Sequence, residues 1–330
     1  MKLSRTFISA TREMSTLETR IPAPYLRKTV MIGEDVRSVR LCVCGLGFYR
    51  FWLNGQELTR GHLSPYISAS DDIIDYDVYD LTDRIQPGEQ VLGFQLGNGN
   101  QNGFGGYVWD FQLASWRSAP KLAICLEITH ADGTVTETEA DETFLCAFSP
   151  LMSDELRLGE VYDARREIPG WNLPGFDDSG WTAAIPVEAP RGQGVICQAH
   201  PIVCTRELKP VAILPDMRLT FDKNDRQVTG YLYDFGENCA GVTTLRIQGR
   251  PGQKIGMIYG EYIKEDGSFS VDNLRFIRPE YLDMPLYIQE NEYICKGGDI
   301  ETWTPGFTYH GFRYALVWGI TPEQATTELL

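Results

Sequence analysis

Histidine is scarce in this chain, with only four in 330 residues, at positions 62, 130, 200 and 310. They lie far apart with no helical i, i+4 pairing, and the eight cysteines contain no Cys-x-x-Cys pair, so a structural zinc centre is excluded. Long apolar runs are also missing. No stretch approaches the ~20 residues of a membrane span. The N-terminal segment "MKLSRTFISATREMSTLETR" is interrupted by Ser, Thr, Arg and Glu, so it lacks the apolar core of a secretory signal and points to the cytoplasm. Positive charge is in short supply: 30 Lys and Arg face 45 Asp and Glu, a formal charge of −15. That balance repels phosphate backbones and anionic lipid, which excludes nucleic acid and membrane surfaces as expected partners. Long amphipathic helical patterns, internal repeats and low-complexity tracts are absent as well.

What remains is an ordinary globular composition, 43% hydrophobic and 23% charged, in a chain long enough for two domains. Alternation dominates it. In "KLAICLEITHADGTVTETEA" Leu122, Ile124, Leu126 and Ile128 alternate, Ala131-Asp132-Gly133 supplies a turn, and Thr134–Thr138 alternates back as a hairpin. "VRLCVCGLGFYRFWLNGQEL" repeats the signal, with Asn54-Gly55 as a type I′ turn. Cys42 and Cys44 stand at alternate positions of that run and read as buried apolar residues. Further strands are expected at 90–96, 107–114, 231–235, 242–248, 254–259 and 314–318. With 32 Gly and 18 Pro between short strands, the expected fold is all-β with little helix: two tandem, jelly-roll-like β-sandwiches. The Pro- and Gly-broken stretch before Leu208 suggests domains at 1–207 and 208–330.

Four motifs invite a chemical reading. "LGNGNQNGFGGY", Leu96–Tyr107, lacks the Gly-Lys-Ser/Thr ending of a phosphate loop and lies between strands. Its amide oxygens suit sugar hydroxyls or a hard cation such as Ca²⁺, and its composition equally suits a connection needing positive φ. "DKNDRQ", Asp222–Gln227, has Gln227 where an EF-hand needs Gly, and reads as a polar turn. "GEVYDARREIPGWNLPGFDDSGW" gathers Glu160, Asp163, Glu167, Asp177 and Asp178. A glycosidase needs a carboxyl pair across a sugar site, yet Asp163 has Arg165 and Arg166 beside it, and Asp177 and Asp178 suit a turn before Trp181. "TPGFTYHGFRYALVWG" places Phe307, Tyr309, His310, Phe312 and Arg313 in a strand-like run. No Ser or Cys nucleophile motif accompanies His310.

Taken in order, several stretches resemble one family. "LGFYRFWLNGQEL", "YDVYDLTDRIQPGEQVLGFQLGNG" and "GEVYDARREIPGWNLPGFDDSGW" are similar to the N-terminal β-domain of bacterial α-L-rhamnosidases of glycoside hydrolase family 78. "YDFGENCAGVTTLRIQGRPGQKIGMIYGE" resembles the β-sandwich that follows it there, and "FTYHGFRYALVWG" the segment closing that sandwich. The resemblance implies release of terminal α-L-rhamnose by Glu and Asp residues of an (α/α) barrel downstream. Here only "ITPEQATTELL" follows, so no catalytic residue carries over and the chain alone is expected to be inactive. The implied role is to support such a barrel in cis or in trans, and to bind a rhamnose-containing glycan. For the glycan, the resemblance offers Asn54, Asn98, Asn100, Asn102 and Trp109, with Ca²⁺ near Asn54 and Asn98. For the barrel it offers a surface at Phe307, Tyr309, His310, Phe312 and Arg313, in a run that also reads as the last strand of the second sandwich with its aromatics filling that core.

Overall fold

The computed structural model describes residues 2–16, 18–103, 111–220, 227–274 and 288–330. It is all-β. Among the described residues the helical turns are the short 3-10 segments Thr82–Arg84, Phe111–Leu113, Ala164–Arg166 and Asp272–Leu274. The strand expected at 107–114 is therefore a 3-10 turn at its end, and its first four residues lie outside the described residues. Two compact units divide the chain. Met1–Asn102, Ala114–Ser149 and Ile168–Val203 form the first, and Gly103–Leu113, Pro150–Glu167 and Cys204–Leu330 the second.

The first unit is a sandwich of two sheets. One sheet runs in the order Ile185–Val187, Phe7–Ser9, Lys121–His130, Val36–Leu46, Ile73–Asp80, Gln193–Ile196, with Val135–Glu139 also paired to Lys121–His130. The other runs Thr182–Ala183, Leu145–Phe148, Pro24–Ile32, Gly88–Leu96, Tyr49–Leu53, Gln56–Glu57. Between them Leu26, Val39, Leu41, Val43, Phe51, Phe94, Leu122, Ile124 and Leu126 form one buried cluster. The period-2 pattern sends alternate residues to opposite faces. Cys42 and Cys44 accordingly join a second cluster on the outer face with Phe7, Ile74 and Tyr76. Both are free thiols, and burial pushes Cys42 up to about 12, so it packs as an apolar group. The Asn54-Gly55 turn forms with φ 48° and 84°, as a type I′ hairpin demands.

The second unit is built on a seven-stranded sheet in the order Leu151–Glu155, Gly159–Asp163, Glu290–Ile294, Lys254–Gly260, His310–Trp318, Gln227–Gly241, Ala212–Thr220. A two-stranded sheet, Leu245–Ile247 with Glu301–Trp303, contributes Leu245, Ile247 and Trp303 to one of its cores. Both faces of the long sheet are covered. Met257, Tyr259, Ala315 and Val317 enter one cluster, and Ile258, Tyr314 and Leu316 the other. The segment 150–167, which precedes the expected boundary near Leu208, pairs here: Val161, Tyr162 and Asp163 run parallel to Glu292, Tyr293 and Ile294.

Candidate functional site

The carboxylates of Gly159–Trp181, namely Glu160, Asp163, Glu167, Asp177 and Asp178, were the sequence's candidates for acid/base work, and the fold gives them other tasks. Glu160 is only 2% exposed, and its Oε1 accepts the Phe307 N–H. Asn291 Oδ1 accepts the Glu160 N–H at 2.9 Å and lies 3.3 Å from His310 Nε2, so the imidazole proton sits on Nε2. Asn291 Nδ2 donates to the Tyr259 hydroxyl at 3.1 Å, which lies 2.6 Å from the Thr243 hydroxyl. His310 stacks on Tyr259 with centroids 4.5 Å apart. Desolvation lowers the His310 pKa to about 3 and raises Tyr259 to about 12, so both stay neutral across ordinary pH. Asp163 takes a bidentate pair from Arg165 Nε and Nη2, each at 2.8 Å, which holds its carboxyl below the usual range. In the first unit, Asp177 accepts the Ser179 N–H, the Asp178 carbonyl accepts the Trp181 N–H, and the Asp178 carboxylate pairs with Arg27. These carboxylates build turns, pairs and a buried network.

The surface expected at the end of the chain is largely interior. Phe307 (1% exposed), His310 (0%) and Phe312 (2%) are buried, and Tyr309 alone of the aromatic set stands out at 47%. The reason lies in strand position. His310–Trp318 pairs with Gln227–Gly241 on one side and Lys254–Gly260 on the other, so it is a central strand covered on both faces. Arg313 is turned onto Asp234, with Nε and Nη2 each 2.9 Å from a carboxylate oxygen.

Asn54 is held apart from Asn98 and Asn102, which bond to each other. Asn54 Oδ1 accepts the Val91 N–H at 2.8 Å and its Nδ2 donates to Gln90 Oε1 at 2.7 Å. Asn98 lies beyond the other end of strand Gly88–Leu96, seven residues past Val91 and so about 23 Å away at ~3.3 Å per residue. There Asn98 Nδ2 donates to the Ile21 carbonyl, its Oδ1 accepts from Asn102 Nδ2 at 2.7 Å, and Asn102 Oδ1 accepts the Ser15 N–H. Asn100 Oδ1 is buried with no partner among the described residues. The glycines of this loop serve close backbone approach: a Cβ on Gly99 (φ +48°) would meet the Gly47 carbonyl oxygen at 2.3 Å. Trp109 and residues 222–226 lie outside the described residues. Ca²⁺ does not fit the Asn54 and Asn98 pair, since Asn54 follows Leu53, its oxygen is taken by Val91, and Asn98 is at the opposite strand end.

An unforeseen feature of the first unit is an open groove of about 530 Å³ on which Arg12, Met14, Trp116, Arg117, Lys121 and Glu188 converge. A smaller cavity of about 100 Å³ adjoins it and shares Trp116, Lys121 and Glu188. The Trp116-Arg117 dipeptide in a polar loop was the one local sign of it. The other walls come from distant segments that only the fold unites.

Fold and site define a two-unit all-β protein whose best-ordered polar groups serve its own architecture. Residues 34–206 match the alpha-L-rhamnosidase N-terminal domain, and residues 225–330 match the bacterial alpha-L-rhamnosidase concanavalin-like domain. The chain belongs to the bacterial α-L-rhamnosidase family. It is 31% identical over 314 residues to an alpha-L-rhamnosidase of Formosa agariphila, covering 91% of this chain and 30% of the relative. Among solved structures, it superposes on alpha-L-rhamnosidase from Dictyoglumus thermophilum with a TM-score of 0.82 at 28% identity, covering 98% of this chain and 35% of that one. The Streptomyces avermitilis alpha-L-rhamnosidase complexed with L-rhamnose gives a TM-score of 0.73 at 30% identity, covering 92% and 27%. The chain thus spans about a third of the length of these relatives.

Proposed function

We propose that this chain is the non-catalytic β region of an enzyme that removes α-L-rhamnose from glycans, and that its own work is to carry and brace the catalytic domain. L-Rhamnose is the sugar named with the Streptomyces relative, and we assign it to the assembled enzyme here. One observation carries the assignment of a non-chemical role. The carboxylate pair that could serve glycoside hydrolysis is committed: Glu160 is buried on the Phe307 amide, and Asp163 is clamped by Arg165. Neither carboxyl group is left to protonate a leaving group or activate water. Purified chain mixed with an aryl α-L-rhamnoside should release no phenol above the buffer rate. Turnover that disappears in both Glu160→Gln and Asp163→Asn would overturn the assignment.

A further inference from the structure

The groove on the first unit has a composition at odds with the rest of the chain. The protein carries a formal charge of −15, yet three cations, Arg12, Arg117 and Lys121, line this groove against one carboxylate, Glu188. Each cation is braced across the walls by a backbone carbonyl. Arg12 Nη2 donates to Pro186 O at 2.9 Å, Lys121 Nζ to Glu188 O at 3.1 Å, and Arg117 Nη2 to Ser15 O. Such bonds fix position without neutralising charge. Arg12 and Lys121 form no ion pair with a side chain among the described residues, and most of their N–H donors remain unspent. Lys121 is also withdrawn from water, which lowers its pKa on balance even though the nearby Glu188 carboxylate acts the other way, so a further anionic neighbour would favour its ammonium. Trp116 and the exposed Met14 add apolar surface to the same groove.

We propose that this groove is a binding site for a carboxylated saccharide, a short oligosaccharide bearing uronic acid. A volume of about 530 Å³ is large for a lone inorganic anion and falls in the usual range of small-molecule sites. The cations supply charge-assisted donors for the carboxylate, and Trp116 with Met14 supplies a surface for the C–H face of a sugar ring. The site shares no residue with Asn54 or Asn98, and it does not depend on the rhamnosidase reading, because no rhamnose enters the test.

Tri-galacturonate is titrated into the 330-residue chain by calorimetry at low salt, beside the same trisaccharide as its methyl ester, which keeps the ring and removes the charge. Saturable binding of the acid is expected, at least tenfold weaker for the ester and weaker again at raised ionic strength. The double variant Arg12→Gln, Lys121→Gln, and separately Trp116→Ala, should each lose binding tenfold or more while keeping the parent's unfolding midpoint. Equal binding of acid and ester, no binding of either, or full binding by folded variants would overturn the proposal.

Discussion

The two units arrange their buried polar groups differently. Between the sheets of the first lies an aliphatic and aromatic cluster, Leu26, Leu41, Phe51, Leu92, Phe94 and Leu126 among them, and its buried polar side chains pair in small local sets such as Tyr49, Asp77 and Tyr79. Through the interior of the second runs a chain of polar groups, Glu160, Asn291, His310 and Tyr259. A second buried carboxylate, Glu301, accepts from the Tyr293 hydroxyl and the Lys296 and Gly297 amides. Apolar packing is set by volume and pattern and tolerates exchange. A buried polar network is set by pairing, and each member left alone costs its full desolvation. Strands of similar length are thus held by rules that respond oppositely to the same kind of substitution.

The sharpest way to break the contrast is a size-conserving swap in each core. Leu92→Met in the first unit keeps volume and polarity and should cost less than about 1.5 kcal/mol. Asn291→Leu in the second also keeps volume, but it strips the acceptor from the Glu160 amide and His310 Nε2 and the donor from the Tyr259 hydroxyl. At about 1–3 kcal/mol for each buried group orphaned, a loss of roughly 3–5 kcal/mol is expected. Peptide-resolved hydrogen exchange reads the two units separately. Equal losses at the two sites would erase the distinction.

Acid should separate the units by a smaller amount. His310 is held neutral down to about 3, whereas the unfolded chain protonates it near its ordinary 6.5. The unfolded state therefore binds the extra proton between those values. Stability present above pH 6.5 falls as pH drops, by up to about 1.4 kcal/mol per unit and so by about 2 kcal/mol at pH 5. The lowered carboxyls of Asp163 and Asp234 act in the same direction but only below their ordinary 3.8. His310→Gln stays neutral and should flatten the slope between pH 6.5 and 4 in the second unit, leaving the first unchanged. An identical slope in parent and variant would assign the acid sensitivity elsewhere.

The same contrast explains what could be read from the residues alone. Leu122, Ile124, Leu126 and Ile128 announce a strand locally, and Asn54-Gly55 announces its turn, because pattern and turn chemistry are properties of neighbours. Residues 150–167 carry no such sign of their place, since the parallel pairing of Val161 with Glu292 joins positions about 130 apart in sequence. Phe307 and Phe312 suit the core of a closing strand and a docking surface equally, and the strands on both sides, which bury them with His310, place them in the core. The cations of the groove, at 12, 117 and 121, meet Glu188 only through sheet order. The Asn-rich loop allowed two readings for a related reason: amide side chains suit a ligand and the backbone equally, and here Asn54, Asn98 and Asn102 bond within the fold.

The smallest effect should come where the contrast ought to vanish. Each unit holds one Asp-Gly hairpin of the same design. In Ala131–Thr134 the Gly133 N–H reaches the His130 carbonyl at 3.0 Å and Asp132 Oδ1 accepts the Thr134 N–H. In Glu265–Ser268 the Gly267 N–H reaches the Lys264 carbonyl at 2.9 Å and Asp266 Oδ1 accepts the Ser268 N–H. Both glycines sit at positive φ, +88° and +84°, and a Cβ on either would meet nothing within 4 Å. Only the left-handed backbone penalty then acts, so Gly133→Ala and Gly267→Ala should each cost about 1 kcal/mol. Equal small losses, measured by the same exchange experiment, would place the difference between the units in their interiors. A markedly larger loss at Gly267 would show that the polar core of the second unit makes even its surface turns less tolerant.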